Sequence, residues 1–350
     1  MSGPLGLALV SCVRHQKGYA PLFAAHPEAQ IVVVTDEPDI PEWMHAVNQE
    51  FAEHYGVPYV RDVGRALDRP DVAMVSVCSE PTRHARLAMA AAMAGKHIWV
   101  DKPIATSLAE ADELVAAVVA ADVQLSYVHR LHAPAVRQAR RRIEGGELGR
   151  LESLHLAFVS TGSVVSGAVE DFQLVVDKRL SGGGELMNFF GYPVDAARYL
   201  TGSEVTHVYA SAGTYFFEPH RELGVEDFAV CILTLEDEVT ATVVVGRSPA
   251  PNHPAGGDMT LRAHGTTGSL IVDENRPRVE IRAMPPAPAS RTASSFANSM
   301  LMPLVEEFVA SVRGEGRPLR SMHDARAIVA VIEAAYRSVA SGQVEAIASR

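Results

Sequence analysis

The segment Asp101-Lys102-Pro103 closes a short β-type run, His97 to Asp101 (HIWVD). A lysine leaving the C-terminal edge of a parallel strand stands where open α/β sheets place their ligands, which favours a functional Lys102 over a surface lysine. A site of this kind serves chemistry in which one group exchanges a proton with the substrate and another stabilises oxyanion charge. Lys102 suits the second task and can depress the pKa of a nearby phenol. Earlier, Asp36 ends the apolar run QIVVVTD, 25 residues after Ser11. An acid at that offset in a βαβ unit is placed to bind the ribose hydroxyls of a dinucleotide, although a turn residue after a strand is the plainer alternative. Glu37 follows it and no arginine is near in the sequence, which favours NAD over NADP.

A dinucleotide crevice also needs a tight glycine turn after the first strand. Where G-x-G-x-x-G is expected, the chain reads Ser11-Cys12-Val13-Arg14-His15-Gln16. A Cβ at the second glycine position keeps the backbone away from a pyrophosphate. Either the loop takes another path, or cofactor binding is altered or lost. Arg14 and His15 offer side-chain donors to phosphates, or form an ordinary surface pair. Cys12 and Cys78 end neighbouring strands and read as small residues lining the crevice rather than as a disulfide.

The elements that must position these groups follow from the pattern. Residues 1–127 alternate β-rich runs with helical stretches, as a parallel sheet demands. Strands are expected at Gly6–Ser11, Gln30–Asp36, Val72–Cys78, His97–Asp101 and Val123–Tyr127. Helices are expected at Glu42–Tyr55, ended by Gly56, and after Thr82 as a cap, closed by Gly95. Ser107 and Glu110 form a capping box that opens a helix to about Ala121. From Leu151 the runs lengthen and alternate: Leu151–Val159, Val205–Tyr215, Val225–Leu235, Val239–Gly246 and Asp258–His264. They predict an open, mainly antiparallel sheet with one face buried. The expectation is therefore a Rossmann unit over residues 1–127. An α+β unit for substrate binding and oligomerisation follows over 128–350, with the C-terminal helices within 303–350. Met284–Ala297, rich in Pro, Ala and Ser, reads as a mobile loop.

Composition narrows the partners. With 350 residues and a formal net charge of −11, the chain exceeds one ordinary core and lacks the basic face that nucleic acid or an anionic membrane requires. The run Arg137-Gln138-Ala139-Arg140-Arg141-Arg142 reads as a solvated helix face. No apolar run approaches the ~20 residues of a membrane span, and the first ten residues lack the features of a signal peptide. Three cysteines without metal-type spacing indicate a reducing cytoplasm and no metal site.

Ala92 to Pro103 (AMAGKHIWVDKP) resembles the A-G-K-H-V-x-x-E-K-P segment of the Gfo/Idh/MocA oxidoreductases, with Asp101 replacing the glutamate. The likeness extends over nearly the whole chain. Val77–Ala88 (VCSEPTRHARLA) is similar to the family's turn after the fourth strand, which brings Cys78, Ser79, Glu80 and His84 to the cofactor. Ser181–Leu200 (SGGGELMNFFGYPVDAARYL) resembles its G-G-G-x-L-x-D-x-G-x-[HY] helix, and Gly265–Leu270 its late hairpin turn. The resemblance implies a substrate held between two units, with Lys102 facing the reacting carbon. It implies Tyr192 as proton donor or acceptor, at a position where many members carry His. Asn188 stands where the family usually has Asp; it can bind a substrate hydroxyl but cannot act as a base. Asp195 orients substrate or caps its helix, and His129 and Arg130 occupy the cofactor-and-substrate turn.

Three readings follow. The first is an NAD-linked oxidoreductase acting on a sugar, cyclitol or similar polyol. The second is a redox-neutral sugar-modifying enzyme with tightly held NAD. The third is a binding or accessory protein without dehydrogenase activity, which the missing glycines and Asn188 favour and the pair Lys102 and Tyr192 opposes. The open sheet would expose an apolar face, so a homodimer or homotetramer is expected.

Overall fold

The computed structural model describes residues 3–162, 171–250, 257–275, 278–283, 290–293 and 300–348. The first strands are β1 (Leu5–Val10), β2 (Ala29–Thr35), β3 (Tyr59–Val60), β4 (Met74–Val77), β5 (His97–Val100) and β6 (Leu125–Tyr127). They form one parallel sheet in the order β3-β2-β1-β4-β5-β6. Every residue of β1 and β4 is buried, because helices cover both faces. Those helices are α1 (Gln16–Ala25), α2 (Glu42–Tyr55), α3 (Val63–Leu67), α4 (Pro81–Met93) and α5 (Leu108–Ala121). This strand order reverses between β1 and β4, which places the crevice at the loops after those two strands.

Local chemistry sets the helix ends. Gly56 takes the left-handed conformation that closes α2, at φ 65°. In α5 the Ser107 side chain accepts the Glu110 N–H while the Glu110 carboxylate accepts the Ser107 N–H. Thr82, expected as the cap of α4, lies inside the helix instead. Glu80 is the N-cap and Pro81 the first helical residue, and the Thr82 hydroxyl donates to the carbonyls of Arg179 and Leu180.

The second half begins with α6 (Pro134–Glu144) and β7 (Leu151–Thr161). Four helices follow, α7 (Gln173–Val176), α8 (Lys178–Ser181), α9 (Glu185–Phe189) and α10 (Gly191–Thr201). Then come β8 (Val205–Gly213), α11 (Glu218–Glu222), β9 (Phe228–Leu235), β10 (Thr240–Ser248), β11 (Asp258–Gly265), β12 (Gly268–Asp273), β13 (Arg278–Ala283) and β14 (Ser290–Ala293). The chain finishes with α12 (Leu301–Val312), α13 (Met322–Ser341) and β15 (Glu345–Ala346). The nine strands form one sheet, β14-β13-β12-β11-β7-β10-β9-β8-β15. Alternating burial along β9 leaves one face packed against helices and the other open, as expected.

The sheet is mainly antiparallel, as expected, with β10 paired parallel to β7. Two features depart from the sequence reading. Part of the Met284–Ala297 segment is the strand β14, which pairs with β13; the rest of that segment lies outside the described residues. Helix α12 does not join the second sheet. Its Leu304, Val305, Phe308 and Val309 pack with Leu7, Phe23 and Trp99 in the core of the first sheet. Phe308 meets Phe23 and Trp99 edge-to-face at 6.3 and 5.9 Å, completing an aromatic core that α1 and the sheet leave open.

Candidate active site

Lys102 leaves β5 through a cis Lys102–Pro103 bond and points at the start of the second unit. Its ammonium donates to the main-chain carbonyl of Asn188 and to Asn188 Oδ1, both at 2.6 Å. The glycines before α9 explain how Asn188 comes so close. A Cβ at Gly183 would collide with the Tyr336 hydroxyl, and one at Gly184 with the Glu226 carbonyl, so the turn packs flat against its neighbours. The resulting cavity is lined by Lys102, Tyr127, His129, Asn188, Tyr192 and Asp195 over a floor of aliphatic side chains.

Burial and the Arg14 guanidinium push the Lys102 ammonium down to about pKa 7, while Asp101 and Glu185 restrain the fall. The ring of Tyr192 stacks on Phe158 at 5.0 Å, with Lys102 Nζ 5.2 Å and Arg130 Cζ 5.7 Å from its centre. Lys102 therefore meets the ring rather than the hydroxyl. Burial and Asp101 raise the phenol pKa, so the expected depression by Lys102 does not occur. Arg130 is held by Glu274, to which Nε and Nη2 donate at 3.0 and 2.8 Å.

Asp195 lines the cavity with its carboxylate already engaged, accepting from the Tyr127 hydroxyl and from Arg320 Nε. His129 accepts the Leu131 N–H at Nδ1, and burial beside His132 and Arg320 lowers its pKa to about 3. A neutral ring with Nδ1 occupied as acceptor carries its proton on Nε2. Among the described residues, His129, His132 and Glu307 have metal-ligand spacing. His132 Nδ1 faces a guanidinium nitrogen of Arg137, and its Nε2 lies 3.1 Å from Glu307. With Nδ1 of both rings facing a donor, neither ring has the outward N–H that a metal-ligating histidine usually gives to an acceptor.

The crevice residues lie together at the ends of β1, β2, β4 and β5. Ser11 adopts φ 62°, so it makes the left-handed turn that glycine usually supplies. Asp36 accepts from Arg83 Nη1 at 2.6 Å, Asn48 Nδ2 at 2.9 Å and the Glu37 N–H. Arg83 also grips Glu80, and Arg86 grips Glu37. Arginines distant in sequence thus reach the acid pair, a proximity that sequence spacing concealed. Asp101 turns back toward α1, accepting from Tyr19 and the Lys102 N–H and pairing with His15 at 2.6 Å. Burial opposes its ionisation, yet His15, Arg14 and His84 hold it well below the usual carboxylate range. His15 is thereby committed to Asp101 rather than offered to a phosphate. His84 bridges the carbonyls of Ser79 and Pro103, clamping two crevice loops together instead of facing a ligand.

A strap formed by α7 and α8 closes the crevice. Leu174 packs on Val13 and Met44, with Leu180 and Ile40 at the margin, and its carbonyl accepts from Arg14 Nη1. Ser11, Cys12, Val13, Asp36, Cys78 and Ser79 are all 0% exposed. Cys12 and Cys78 are free thiols, and burial raises both well above the ordinary range.

Two models of one family cover this architecture. Residues 12–129 match an oxidoreductase family with an NAD-binding Rossmann fold, and residues 136–271 match a GFO/IDH/MocA C-terminal domain. The chain belongs to the Gfo/Idh/MocA oxidoreductase family. It is 30% identical over 231 residues to the "Uncharacterized oxidoreductase YrbE" of Bacillus subtilis, covering 65% of this chain and 64% of that one. It is 28% identical to levoglucosan dehydrogenase of Pseudarthrobacter phenanthrenivorans, over 60% of this chain and 57% of that one. The matches thus span 64% and 57% of these relatives, less than two thirds of either. A solved levoglucosan dehydrogenase in complex with NADH and levoglucosan superposes with TM-score 0.86 at 21% identity, over 99% of this chain and 100% of that one. The first sheet is accordingly the Gfo/Idh/MocA family's NAD-binding Rossmann unit. Two of its features fit NAD in kind: a left-handed turn at Ser11 and, ending β2, the Asp36 carboxylate, an acceptor of the kind that takes ribose hydroxyls. The strap fills the space in the present conformation, so a dinucleotide enters only after α7 and α8 move. The sequence reading missed Arg83, Asn48 and Glu185. Only Glu185 left a signal, a charged residue directly after a glycine triplet in a stretch that must be buried.

Proposed function

We propose that the protein is an NAD-linked oxidoreductase interconverting a secondary alcohol and a ketone on a sugar, cyclitol or related polyol. The observation that carries this reading is a half-buried lysine, its pKa pushed down to about 7, lining a cavity beside the Rossmann crevice. At neutral pH such a lysine exists in both protonation states, which suits a group that exchanges a proton with a substrate hydroxyl. Lys102 takes that proton during oxidation and returns it during reduction, the substrate oxygen replacing Asn188 Oδ1 as its hydrogen-bond partner. Tyr192 keeps its proton and donates to the substrate oxygen, because its raised pKa makes it a poor base. Arg130 and His129 Nε2 supply further donors for hydroxyls. NAD, when bound, supplies the hydride acceptor or donor. Ser11 to His15, Asp36 and Cys78 to Glu80 are its walls, residues 1–127 with α12 forming its unit.

A second copy of the chain covers the open face of the larger sheet, where Tyr209, Val230 and Ile232 are 39%, 45% and 43% exposed. No helix among the described residues is long and apolar enough to cross a membrane. The three free cysteines fit a reducing cytoplasm.

The closed crevice favours one competing reading, a binding protein without dehydrogenase activity. Denaturing purified protein to release any bound NAD(H), then titrating fresh protein with NAD+ and assaying a polyol panel, separates the two. Turnover that Lys102→Ala abolishes is the expected result. Absence of copurified cofactor together with no binding at millimolar NAD(P) refutes the enzyme reading.

A further inference from the structure

Asn188 is wedged between a donor and an acceptor. Lys102 Nζ donates to its Oδ1, and its Nδ2 donates to Glu185 Oε2 at 2.9 Å. Glu185, three residues earlier and fully buried, is held on its other oxygen by Arg247 Nε at 2.5 Å and His220 Nε2 at 3.2 Å. Its main-chain N–H is fixed by the Glu226 carbonyl. Burial opposes its ionisation, yet Arg247 and His220 keep it an anion.

Only one amide orientation satisfies both neighbours, oxygen toward the ammonium and NH2 toward the carboxylate. An aspartate at position 188 would set a second carboxylate against Glu185 at that same distance, which costs ionisation of one of them. The residue types at 185 and 188 are therefore matched. We infer that Glu185 is a positioning residue for Lys102: it supplies a buried negative charge one residue away and transmits it through the oriented amide of Asn188. This assignment concerns the site proposed above, but it is a statement about the charge of Lys102 and holds whether or not a polyol is turned over.

The groups that face the ammonium are Arg14 and His15 between β1 and α1, Asp101 after β5, Glu185 on α9, Tyr192 on α10 and Arg247 on β10. Around Glu185 stand Arg247, His220 on α11 and Glu226 before β9. Removing the Glu185 charge leaves Arg14 and Arg247 opposed by Asp101 alone. The Lys102 titration then moves down by about one pH unit for a charge one residue removed in a half-buried site.

The chain has four lysines, Lys17, Lys96, Lys102 and Lys178, so 13Cε-lysine labelling yields four NMR signals, and Lys102→Arg assigns the one of interest. Titration of full-length protein reads Lys102 without any turnover. Glu185→Gln is expected to lower its midpoint by about one unit, and the exchange Glu185→Gln with Asn188→Asp to raise it above the starting value, since the carboxylate then touches the ammonium directly. The exchanged pair keeps the cluster's charge, and the amide oxygen introduced by Glu185→Gln still accepts from Arg247, so the pair remains readable if Glu185→Gln alone fails to fold. A Lys102 midpoint unmoved in folded Glu185→Gln, or not raised in the exchanged pair, overturns the assignment. Shifts as expected without polyol turnover would sustain it while defeating the oxidoreductase reading.

Discussion

Truncating Leu174 should tighten NAD binding, although it removes packing from the fold. The side chain is fully buried against Val13 and Met44, on top of the turn that Ser11 begins. A buried leucine cut to alanine costs about 2–5 kcal/mol, and a strap pinned otherwise by a few hydrogen bonds relaxes enough to place this case near the lower figure. That loss falls on the closed arrangement alone, because in the open one Leu174 is already withdrawn from Val13. When the binding-competent state is the minor one, apparent affinity scales with its population. About 2 kcal/mol then corresponds to roughly 30-fold tighter binding, at 1.4 kcal/mol per decade. Titrating wild type and Leu174→Ala with NAD+ by intrinsic fluorescence, with calorimetry as a second measure, reads the difference. Thr82→Val, which deletes the hydroxyl that holds the Arg179 and Leu180 carbonyls, should act in the same direction and more weakly. Weaker or unchanged binding in a folded Leu174→Ala protein would refute the reasoning, because it would make Leu174 part of the cofactor's own wall.

Polyol oxidation should rise with pH through an inflection near 7, as the Lys102 amine loses its proton, and level off above it. Lys102→Arg, which stays charged at all working pH values, should remove the inflection and reduce kcat by about 10²–10⁴-fold. Ser11→Gly should stabilise the fold by about 1 kcal/mol, since Ser11 holds a left-handed φ and its hydroxyl is buried without a hydrogen-bond partner. Thermal unfolding of the two proteins checks this, and a lower Tm for the glycine variant counts against it. The lowered His129 pKa has a fixed sign: below about 6.5 the unfolded chain binds a proton that the folded ring refuses until about 3. Stability must fall across that window, and His129→Gln should flatten the fall in urea titrations run from pH 7 to 4.

Much of the first sheet was legible because its signals are local. Buried parallel strands read as unbroken apolar runs, and the Ser107–Glu110 box and Gly56 mark helix ends by the chemistry of a few neighbouring residues. Helix α1 was not legible: no side chain caps it, and Gly18 and Pro21 lie within it. The acids and Lys102 could be picked out by type and position, but their partners could not. Arg83 reaches Asp36 across 47 residues and Arg14 reaches Leu174 across 160, contacts that only the packed chain creates. Glu185 illustrates the general difficulty. Its role depends on Asn188 beside it, on Arg247 and on His220, and no spacing rule joins four such positions.

Helix α12 has a consequence for how the molecule comes into being. The aromatic pocket that receives Phe308 is built from Phe23 and Trp99, which leave the ribosome more than two hundred residues earlier. During synthesis the first sheet must wait with an apolar flank uncovered while β7 to β14 are made. The nucleotide-binding unit, first in the gene's order, is therefore completed only near the end of synthesis. A chain interrupted near residue 300 would carry a sticky, half-closed sheet, which makes this flank the natural target for a chaperone and the first place to look when truncated forms aggregate.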